Sequence, residues 1–215
     1  MDGAASGPSR SPVPIKKARA EALKINPPPR TDVYPQDETE LALLPTLTRC
    51  WMQRGHQPKI PAPGTNRKRH LFAAVDWRDG TIIRRYADRR DSLTFCTLCD
   101  ALVQRSRARG RRAIVLTDNA HFHRPEKSRH VAALLKRHGR WLELVYLPAY
   151  SPELQPLDHL FRVLRGRVTH NHHRSTLDAL QADAEGCLQA LTRQPRRALR
   201  IIGSPFAQLV HPHAA

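Results

Sequence analysis

The sequence predicts an α/β domain in which a five-stranded mixed sheet is covered by helices on both faces. Two short apolar runs, residues 113–117 and 142–147, lack the polar alternation of half-exposed strands and indicate interior strands. A hairpin pattern precedes them. Stretches with apolar residues three and four positions apart, which are typical of helices, separate and follow them. Three leading strands followed by helix, strand, helix, strand and helix predict a sheet that is partly antiparallel and partly parallel.

The first strand is predicted at residues 32–36, which lead directly to Asp37 and Glu38. Pro35 interrupts this short extended piece, because proline has no N–H to donate to a neighbouring strand. A less regular segment at 41–58 follows. The sequence therefore predicts that the first strand ends at Asp37.

A hairpin supplies the next two strands. Residues 69–76 and 81–87 are predicted to pair, and a tight turn at 77–80 joins them. Asp79 and Gly80 are the residue types that make such a reversal.

Helix caps and apolar spacing predict four helices. They begin after Asp91 or Ser92, Ser128, Pro156 and Ser175. Gly110 and Gly139 are expected to end the first two. Cys96 and Cys99 lie on the apolar face of the first of these helices, which favours small core residues over half a zinc site. Two tryptophans, Trp51 and Trp141, are likewise expected in the core.

The segment after residues 142–147 is expected to hold one acid in a defined place. Pro148, Pro152 and Pro156 exclude helix and sheet pairing and keep the connection extended. Asp158 then lies in the first turn of a helix, where the helix dipole stabilises a carboxylate.

Two motifs carry a resemblance to a known family. Residues 147–159, LPAYSPELQPLDH, follow the pattern LPxYSPxLxPxxH, and residues 115–123, VLTDNAHFH, contain the pattern DNAxxH. Both resemble the signature of DDE/D transposases of the mariner-like superfamily, in particular its bacterial insertion-sequence branch. The resemblance covers roughly residues 31–167 and the following helix. The order of elements also matches the ribonuclease H-like fold.

The resemblance implies the strand order 3-2-1-4-5 and three metal-binding carboxylates, Asp37, Asp118 and Asp158. In such a sheet, ligands gather at the carboxyl ends of strands one and four, where Asp37 and Asp118 are predicted. Most bacterial relatives have Glu at the third position, whereas mariner itself has Asp. Asp76 also ends a strand and is the alternative to Asp37, although VDWRDG fits ordinary turn chemistry. Four further side chains are predicted to support the site: Glu38, Asn119, His121 and His159.

Three converging carboxylates repel one another and raise at least one pKa. Hard oxygen ligands suit Mg²⁺ or Mn²⁺, and two such ions roughly 4 Å apart can activate a nucleophile and stabilise a leaving oxygen. The resemblance implies that water cleaves the transposon end and that the freed 3′-hydroxyl attacks target DNA, with no covalent protein intermediate. It also implies a homodimer on paired ends and insertion at short TA-containing targets.

The charge of the chain predicts a polyanionic partner. Lys and Arg total 36 against 19 acidic residues, a net charge of +17, and double-stranded DNA is the expected partner. The basic loop with His170, His172 and His173 is expected to be solvated and to contact phosphate. Further phosphate contacts are predicted for Arg67, Lys68, Arg69, Arg107, Arg109, Arg111, Arg112, Arg162 and Arg165.

The domain prediction has three parts. Residues 1–30 are read as a basic, Pro-rich arm or linker in which a short helix at 15–25 would have no partner helix to pack against, 31–203 as the catalytic domain, and 204–215 as a tail. No helix-turn-helix is recognised, so a separate N-terminal DNA-binding polypeptide is a predicted partner. The absence of a membrane-spanning run or signal peptide in the sequence predicts a cytoplasmic protein at the nucleoid, with reduced cysteines.

Two other functions remain open from the sequence. One is a non-catalytic DNA-binding remnant or regulator from a decayed insertion sequence, which would bind DNA without Mg²⁺. The other is a structure-specific nuclease or resolvase on the same fold, which would cleave junctions without joining strands.

Overall fold

The computed structural model describes residues 12–61, 63–148, 151 and 154–209. Their helices and strands are α1 (Pro12–Ile25), β1 (Thr31–Ala42), β2 (Lys68–Val75), β3 (Ile82–Ala87), α2 (Ser92–Ala108), β4 (Arg112–Thr117), α3 (Arg129–His138), β5 (Leu142–Tyr146), α4 (Leu157–Leu164), α5 (Leu177–Thr192) and α6 (Pro195–Ile201). Within this described part of the chain, none of the helices has the length and hydropathy needed to cross a membrane.

The five strands form one mixed sheet in the order β3-β2-β1-β4-β5. β2 runs antiparallel to both β1 and β3, whereas β4 runs parallel to both β1 and β5. The predicted fold class and strand order are therefore confirmed.

Each face of the sheet has its own apolar core, because consecutive strand residues point to opposite sides. Val33 and Leu71 join the core formed with α1, α4, α5 and α6. Their neighbours Tyr34 and Phe72 join the core formed with α2 and α3. Burial of each large apolar side chain contributes about 2 kcal/mol. Because both faces are covered, the interior strands have no solvent-facing side that would need polar residues.

Strand β1 is longer than predicted. It continues to Ala42, so Asp37 lies within the strand and not at its end. β1 changes partners along its length, pairing with β4 over residues 31–35 and with β2 over 36–42. Pro35 lies where the partners change, a place where one missing N–H is tolerated. The prediction that proline interrupts the strand is therefore wrong.

Helix α1 corrects the expectation of an unpacked arm over residues 1–30. Ala20 and Leu23 are buried in the core on one face of the sheet. The indole N–H of Trp77 donates to the carbonyl of Lys24 at 2.8 Å. The described part of the predicted arm is therefore packed, because the apolar face of α1 covers the sheet, and residues 1–11 lie outside the described residues.

The beginning of the predicted tail, 204–215, is also packed. Ser204 is buried and its hydroxyl donates to the carbonyl of Trp77 at 2.6 Å, and Ala207 joins the core. Residues 210–215 lie outside the described part. A domain boundary at 203 would therefore divide a packed segment.

The structure confirms the predicted helix caps and the predicted hairpin turn. The Asp91 side chain caps α2 by accepting the N–H of Thr94 at 2.8 Å, and Ser128 caps α3. Gly80 in the hairpin turn has a φ of +76°, and a Cβ there would lie 2.8 Å from the carbonyl oxygen of Pro195. The turn therefore requires glycine both for its backbone angle and for space.

Predictions about single side chains had mixed outcomes. Cys96 and Cys99 are buried in the core between the sheet and α2, as expected. Trp141 is only half-buried, with the Arg107 guanidinium 5.2 Å from its ring. Trp51 is fully exposed, at 103%, so its assignment to the core is wrong. It lies in the irregular segment between β1 and β2, which does not pack on the sheet at this position.

The basic loop after α4 is less solvated than predicted. His172 is buried and accepts the N–H of Arg174 at 3.1 Å through Nδ1. Its Nε2 lies 3.2 Å from the carbonyl of Ala42. The expectation of a solvated phosphate contact is therefore wrong for His172, which holds the loop to the end of β1. Of the three prolines expected before α4, Pro152 lies outside the described residues.

Candidate active site

The parallel register of β1 and β4 brings two predicted acids together. Just beyond the last paired residues, Pro35 and Leu116, the Thr117 hydroxyl donates to the side-chain oxygen of Gln36 at 2.7 Å. Asp37 follows Gln36 within β1, and Asp118 follows Thr117, the last residue of β4. They therefore lie side by side where β4 ends, as the switch-point rule predicts.

Asp37 interacts electrostatically with the other acidic side chains of the site. Its carboxylate accepts the N–H of Glu38 at 2.9 Å. Burial, followed by the negative charges of Glu38, Asp118 and Asp158, raises the pKa of Asp37 to about 7. All three predicted acids are therefore close enough to interact electrostatically.

His123 connects two of the acidic side chains. It lies in a 3₁₀ turn, His121–His123, and its buried ring packs 4.2 Å from the ring of Phe95. Nδ1 lies 2.7 Å from Asp118 and Nε2 lies 3.0 Å from Glu38. Burial alone would lower the pKa of His123, but these hydrogen bonds and charges raise it to about 9. At neutral pH the ring therefore carries a proton on both nitrogens and donates to both carboxylates.

Asp118 is held in one orientation by this contact. Burial alone would raise its pKa, but the hydrogen bonds from His123 and from the N–H of Ala120 hold the pKa of Asp118 below its usual range. The Ala120 N–H lies 3.0 Å from the same carboxylate oxygen. Asp118 is therefore ionised at neutral pH.

Asp158 occupies the first turn of α4, as predicted, and is paired with two arginines. Arg165 Nη2 donates to one carboxylate oxygen at 3.1 Å, and Arg162 Nη2 donates to the other at 3.4 Å. The hydrogen bond from Arg165 is the main reason that the pKa of Asp158 is lowered.

The hydrogen-bond partners of Asp118 and Asp158 determine which way the two carboxylates point. In the described part of the chain, no three His, Cys, Asp or Glu side chains are grouped so that they could hold a metal ion. Asp118 is turned to His123, and Asp158 is turned to its arginines. Both side chains are about half exposed, 46% and 51%, so solvent and ions can reach each carboxylate. As a donor set, three carboxylates fit the oxygen preference of Mg²⁺ or Mn²⁺.

The predicted supporting residues have different positions. Glu38 joins the site through His123, and the Asn119 side chain donates to the carbonyl of Leu147, which follows β5. His121 is exposed, and His159 lines a different cavity beside Trp77 and α6.

The role expected of His121 therefore belongs to His123. The signal was present in the sequence, because the pattern DNAxxH, started at Asp118, places its histidine at 123.

Asp76, the alternative to Asp37 as first acid, is surrounded by groups that hold the hairpin turn together. It is fully buried at the hairpin turn and accepts the N–H of Arg78 at 3.0 Å. Arg109 donates to its other oxygen at 2.9 Å. These contacts agree with the turn interpretation.

Four of the predicted phosphate-binding arginines lie at the far end of β4. The strand begins at Arg112, about 20 Å from Asp118 at a rise of about 3.3 Å per residue. Acids partner most of this group: Arg109 contacts Asp76 and Asp79, Arg111 contacts Asp32, and Arg112 contacts Glu143. Their positions do not support phosphate contacts at the acidic edge.

The other five predicted basic residues have different surroundings. Lys68 pairs with Glu40 at 2.9 Å, and Arg69 pairs with Asp178 at 2.7 Å, whereas Arg67 is exposed. Arg162 and Arg165 contact Asp158 directly, so they are the predicted phosphate ligands that the structure places at the acids.

Comparison with known families decides the assignment. A family model described as DDE superfamily endonuclease matches residues 32–181. The chain belongs to the DDE superfamily of endonucleases. The match contains Asp37, Asp118 and Asp158 of this DDE chain.

A curated relative confirms the bacterial insertion-sequence branch that the two motifs indicated. The insertion element IS630 uncharacterized 39 kDa protein of Shigella sonnei is 30% identical over 166 residues, which are 76% of this chain and 45% of that protein. The DDE chain therefore spans less than half of the length of this relative.

Solved structures confirm the ribonuclease H-like fold. The Mos1 mariner paired end complex with Mn has a TM-score of 0.60 at 17% identity, covering 97% of this chain and 65% of that one. The corresponding complex with Mg has a TM-score of 0.55 at 20% identity, covering 97% and 66%. The resemblance to mariner-like DDE/D transposases, bacterial insertion-sequence branch, is confirmed.

Proposed function

We propose that this chain is the catalytic domain of an insertion-sequence transposase that cleaves DNA and joins the freed strand to a target by in-line phosphoryl transfer. The observation that carries the proposal is the environment of Asp37. Its pKa is raised to about 7 by burial and by the charges of Glu38, Asp118 and Asp158. An excess of negative charge at one point of a sheet edge is typical of a site built for cations.

Asp37, Asp118 and Asp158 would hold two Mg²⁺ or Mn²⁺ ions. The three carboxylates have the right donor atoms, and a divalent charge would offset the repulsion that raises the pKa of Asp37. When bound, two such ions activate an attacking oxygen and stabilise a leaving oxygen at phosphorus.

The remaining residues of the site act by positioning. His123 donates to Asp118 and Glu38, and the N–H of Glu38 holds Asp37. In the proposed reaction, water attacks phosphorus and the bond to the 3′-oxygen breaks, which leaves a 3′-hydroxyl and a 5′-phosphate. That hydroxyl then attacks a phosphorus of the target, and a target strand oxygen leaves. No covalent bond to the protein forms.

Double-stranded DNA is the proposed partner, as transposon end and as target. The net charge of +17 and the likeness to paired end complexes support this. A homodimer is also proposed, and the exposed apolar side chains of Leu47, Trp51 and Met52 between β1 and β2 support it. A separate N-terminal DNA-binding polypeptide stays a proposal.

The test is nicking of supercoiled plasmid by the purified chain in Mg²⁺ or Mn²⁺, beside Asp118→Asn and Asp158→Asn variants. The proposal expects metal-dependent nicking by the parent and background levels for both variants. An oligonucleotide with a free 3′-hydroxyl should then be joined to the plasmid. Nicking without joining would favour the nuclease alternative.

One observation favours the non-catalytic DNA-binding remnant. Both oxygens of Asp158 are engaged by arginines, and the described residues contain no ready metal cluster. A remnant would bind duplex DNA equally well with EDTA or Mg²⁺ and would not nick plasmid under any metal condition.

A further inference from the structure

One acid and two arginines are spaced so that they contact one another along α4 and the residue that follows it, Arg165. Arg162 and Arg165 follow Asp158 by four and seven residues, so at about 100° per residue both lie within about 40° of it around the helix. One guanidinium donates to each oxygen of the carboxylate, at 3.4 Å and 3.1 Å. The third acid of the site is therefore engaged by the same side chains that were predicted to bind phosphate.

We propose that Arg162 and Arg165 are positioning residues that couple DNA binding to metal binding, an inference that rests on the proposed function. Without DNA, they keep the Asp158 carboxylate engaged. When DNA enters, its phosphates take the guanidinium groups, and Asp158 is released to join Asp37 and Asp118 around the cations.

The position of Arg165 supports this exchange. It lines a cleft of about 310 Å³ together with Glu38, Arg90 and Thr169. Glu38 is hydrogen-bonded to His123, so the cleft adjoins the acidic edge. A phosphate in the cleft would therefore lie within reach of the Arg165 guanidinium beside the acidic edge.

The exposure of the three side chains makes the contact easy to replace. The exposed fractions are 51% for Asp158, 67% for Arg162 and 34% for Arg165. Solvent-exposed ion pairs contribute little stability. A phosphate oxygen accepts a bidentate, charge-assisted hydrogen bond from arginine at least as well as a carboxylate does. DNA can therefore displace Asp158 without unfolding α4.

Coupling of this kind is reciprocal. If DNA tightens the binding of cations through Arg162 and Arg165, cations must tighten the binding of DNA by the same factor. The effect on Mn²⁺ affinity should be roughly tenfold, within the usual range for coupled sites.

The experiment measures Mn²⁺ binding by calorimetry and by Mn²⁺ electron paramagnetic resonance, for the full chain with and without a short duplex. In the parent, DNA should raise Mn²⁺ affinity roughly tenfold. Arg165→Gln should bind Mn²⁺ more tightly without DNA and should lose most of the DNA effect. Arg165→Lys keeps the charge and should restore part of the effect.

A matched control removes the same charge elsewhere. Arg137 pairs with Asp100 at 2.8 Å on α2 and α3, so Arg137→Gln should leave the coupling between DNA and Mn²⁺ unchanged. Circular dichroism during thermal unfolding checks that each variant folds.

Two results would overturn the inference in distinguishable ways. If DNA raises Mn²⁺ affinity equally in the parent and in Arg165→Gln, while Asp158→Asn weakens Mn²⁺ binding, the coupling role is wrong and the proposed metal site stands. If Asp158→Asn leaves Mn²⁺ binding unchanged with and without DNA, the proposed site itself fails.

Discussion

The two ends of the β1–β4 strand pair both carry acidic side chains, but they balance that charge differently. At the amino end, Asp32 and Asp76 are fully buried, and Arg109 and Arg111 contact them. At the carboxyl end, His123 pairs with Asp118 and Glu38, and two arginines pair with Asp158. Among the described residues Asp37 has no cationic partner, and burial together with the charges of its acidic neighbours raises its pKa to about 7.

The difference separates a structural cluster from a functional one. Buried charges that are matched by partners hold neighbouring elements together, and here they join the hairpin turn, β1 and the end of α2. Unmatched charges are costly to the fold and are retained where a ligand completes them. Burial and the charge of Asp79 raise the pKa of Asp76 as well. What distinguishes Asp76 from Asp37 is its direct contact with the Arg109 guanidinium at 2.9 Å.

The largest expected effect is at the unmatched end. Asp37→Asn should reduce plasmid nicking by roughly 10³-fold, because metal ions supply several kcal/mol of transition-state stabilisation. The free energy of unfolding should not fall, since the substitution removes a carboxylate that its neighbours repel. Nicking rates and urea unfolding measure the two effects. Nicking at the parental rate would place the metal site elsewhere.

A substitution at the amino end, where Arg109 contacts Asp76, should lower stability and leave nicking unchanged. Asp76→Ala should lower the free energy of unfolding by about 2 kcal/mol, because one nitrogen of Arg109 and the backbone N–H of Arg78 lose their buried acceptor, although Arg109 keeps its contact with Asp79. Nicking per folded molecule should be unchanged. A stable Asp76→Ala protein that cannot nick would make Asp76 the first acid of the site.

His123 connects two acids at the unmatched end, so its loss should affect activity more than stability. His123→Ala should slow nicking by about 10–100-fold, the usual effect of removing a group that orients metal ligands. His121→Ala, two residues away and exposed, should change the rate less than about twofold. Equal effects of the two substitutions would contradict the assignment of His123.

The smallest effect is expected at a matched pair near the surface. Hydrogen bonds from Arg84 lower the pKa of Glu185 to about 2, and the pair joins β3 to α5. Because the folded-state pKa is depressed, the pair stabilises the fold fully above the ordinary glutamate value of 4.5 and loses this effect as pH falls toward 2. Solvent screening limits the contribution to about 1 kcal/mol at neutral pH.

Glu185→Gln measures this contribution. Urea unfolding of the parent and the variant should differ by about 1 kcal/mol at pH 7 and should converge below pH 4.5. A constant difference across that range would show that shape, and not charge, stabilises this contact.

Much of the fold was readable from the sequence because its signals are local. The apolar run ending at Thr117, the caps Asp91 and Ser128 and the glycine turn at Gly80 depend on neighbours within a few residues. The resemblance then supplied the strand order. The end of β1 was misread because Pro35 is tolerated only through the change of partner strands, which is a long-range property.

The sequence by itself determined the fold class and the three acids proposed for the site. Only the tertiary structure decided which charges are matched. Arg109 meets Asp76, Arg165 meets Asp158, and His123 meets both Asp118 and Glu38. Arg109 is distant from Asp76 in sequence and His123 is distant from Glu38, whereas Arg165 needs the helical geometry to come onto one face with Asp158. An ion pair depends on a distance of a few ångströms, and sheet register and helix packing set that distance.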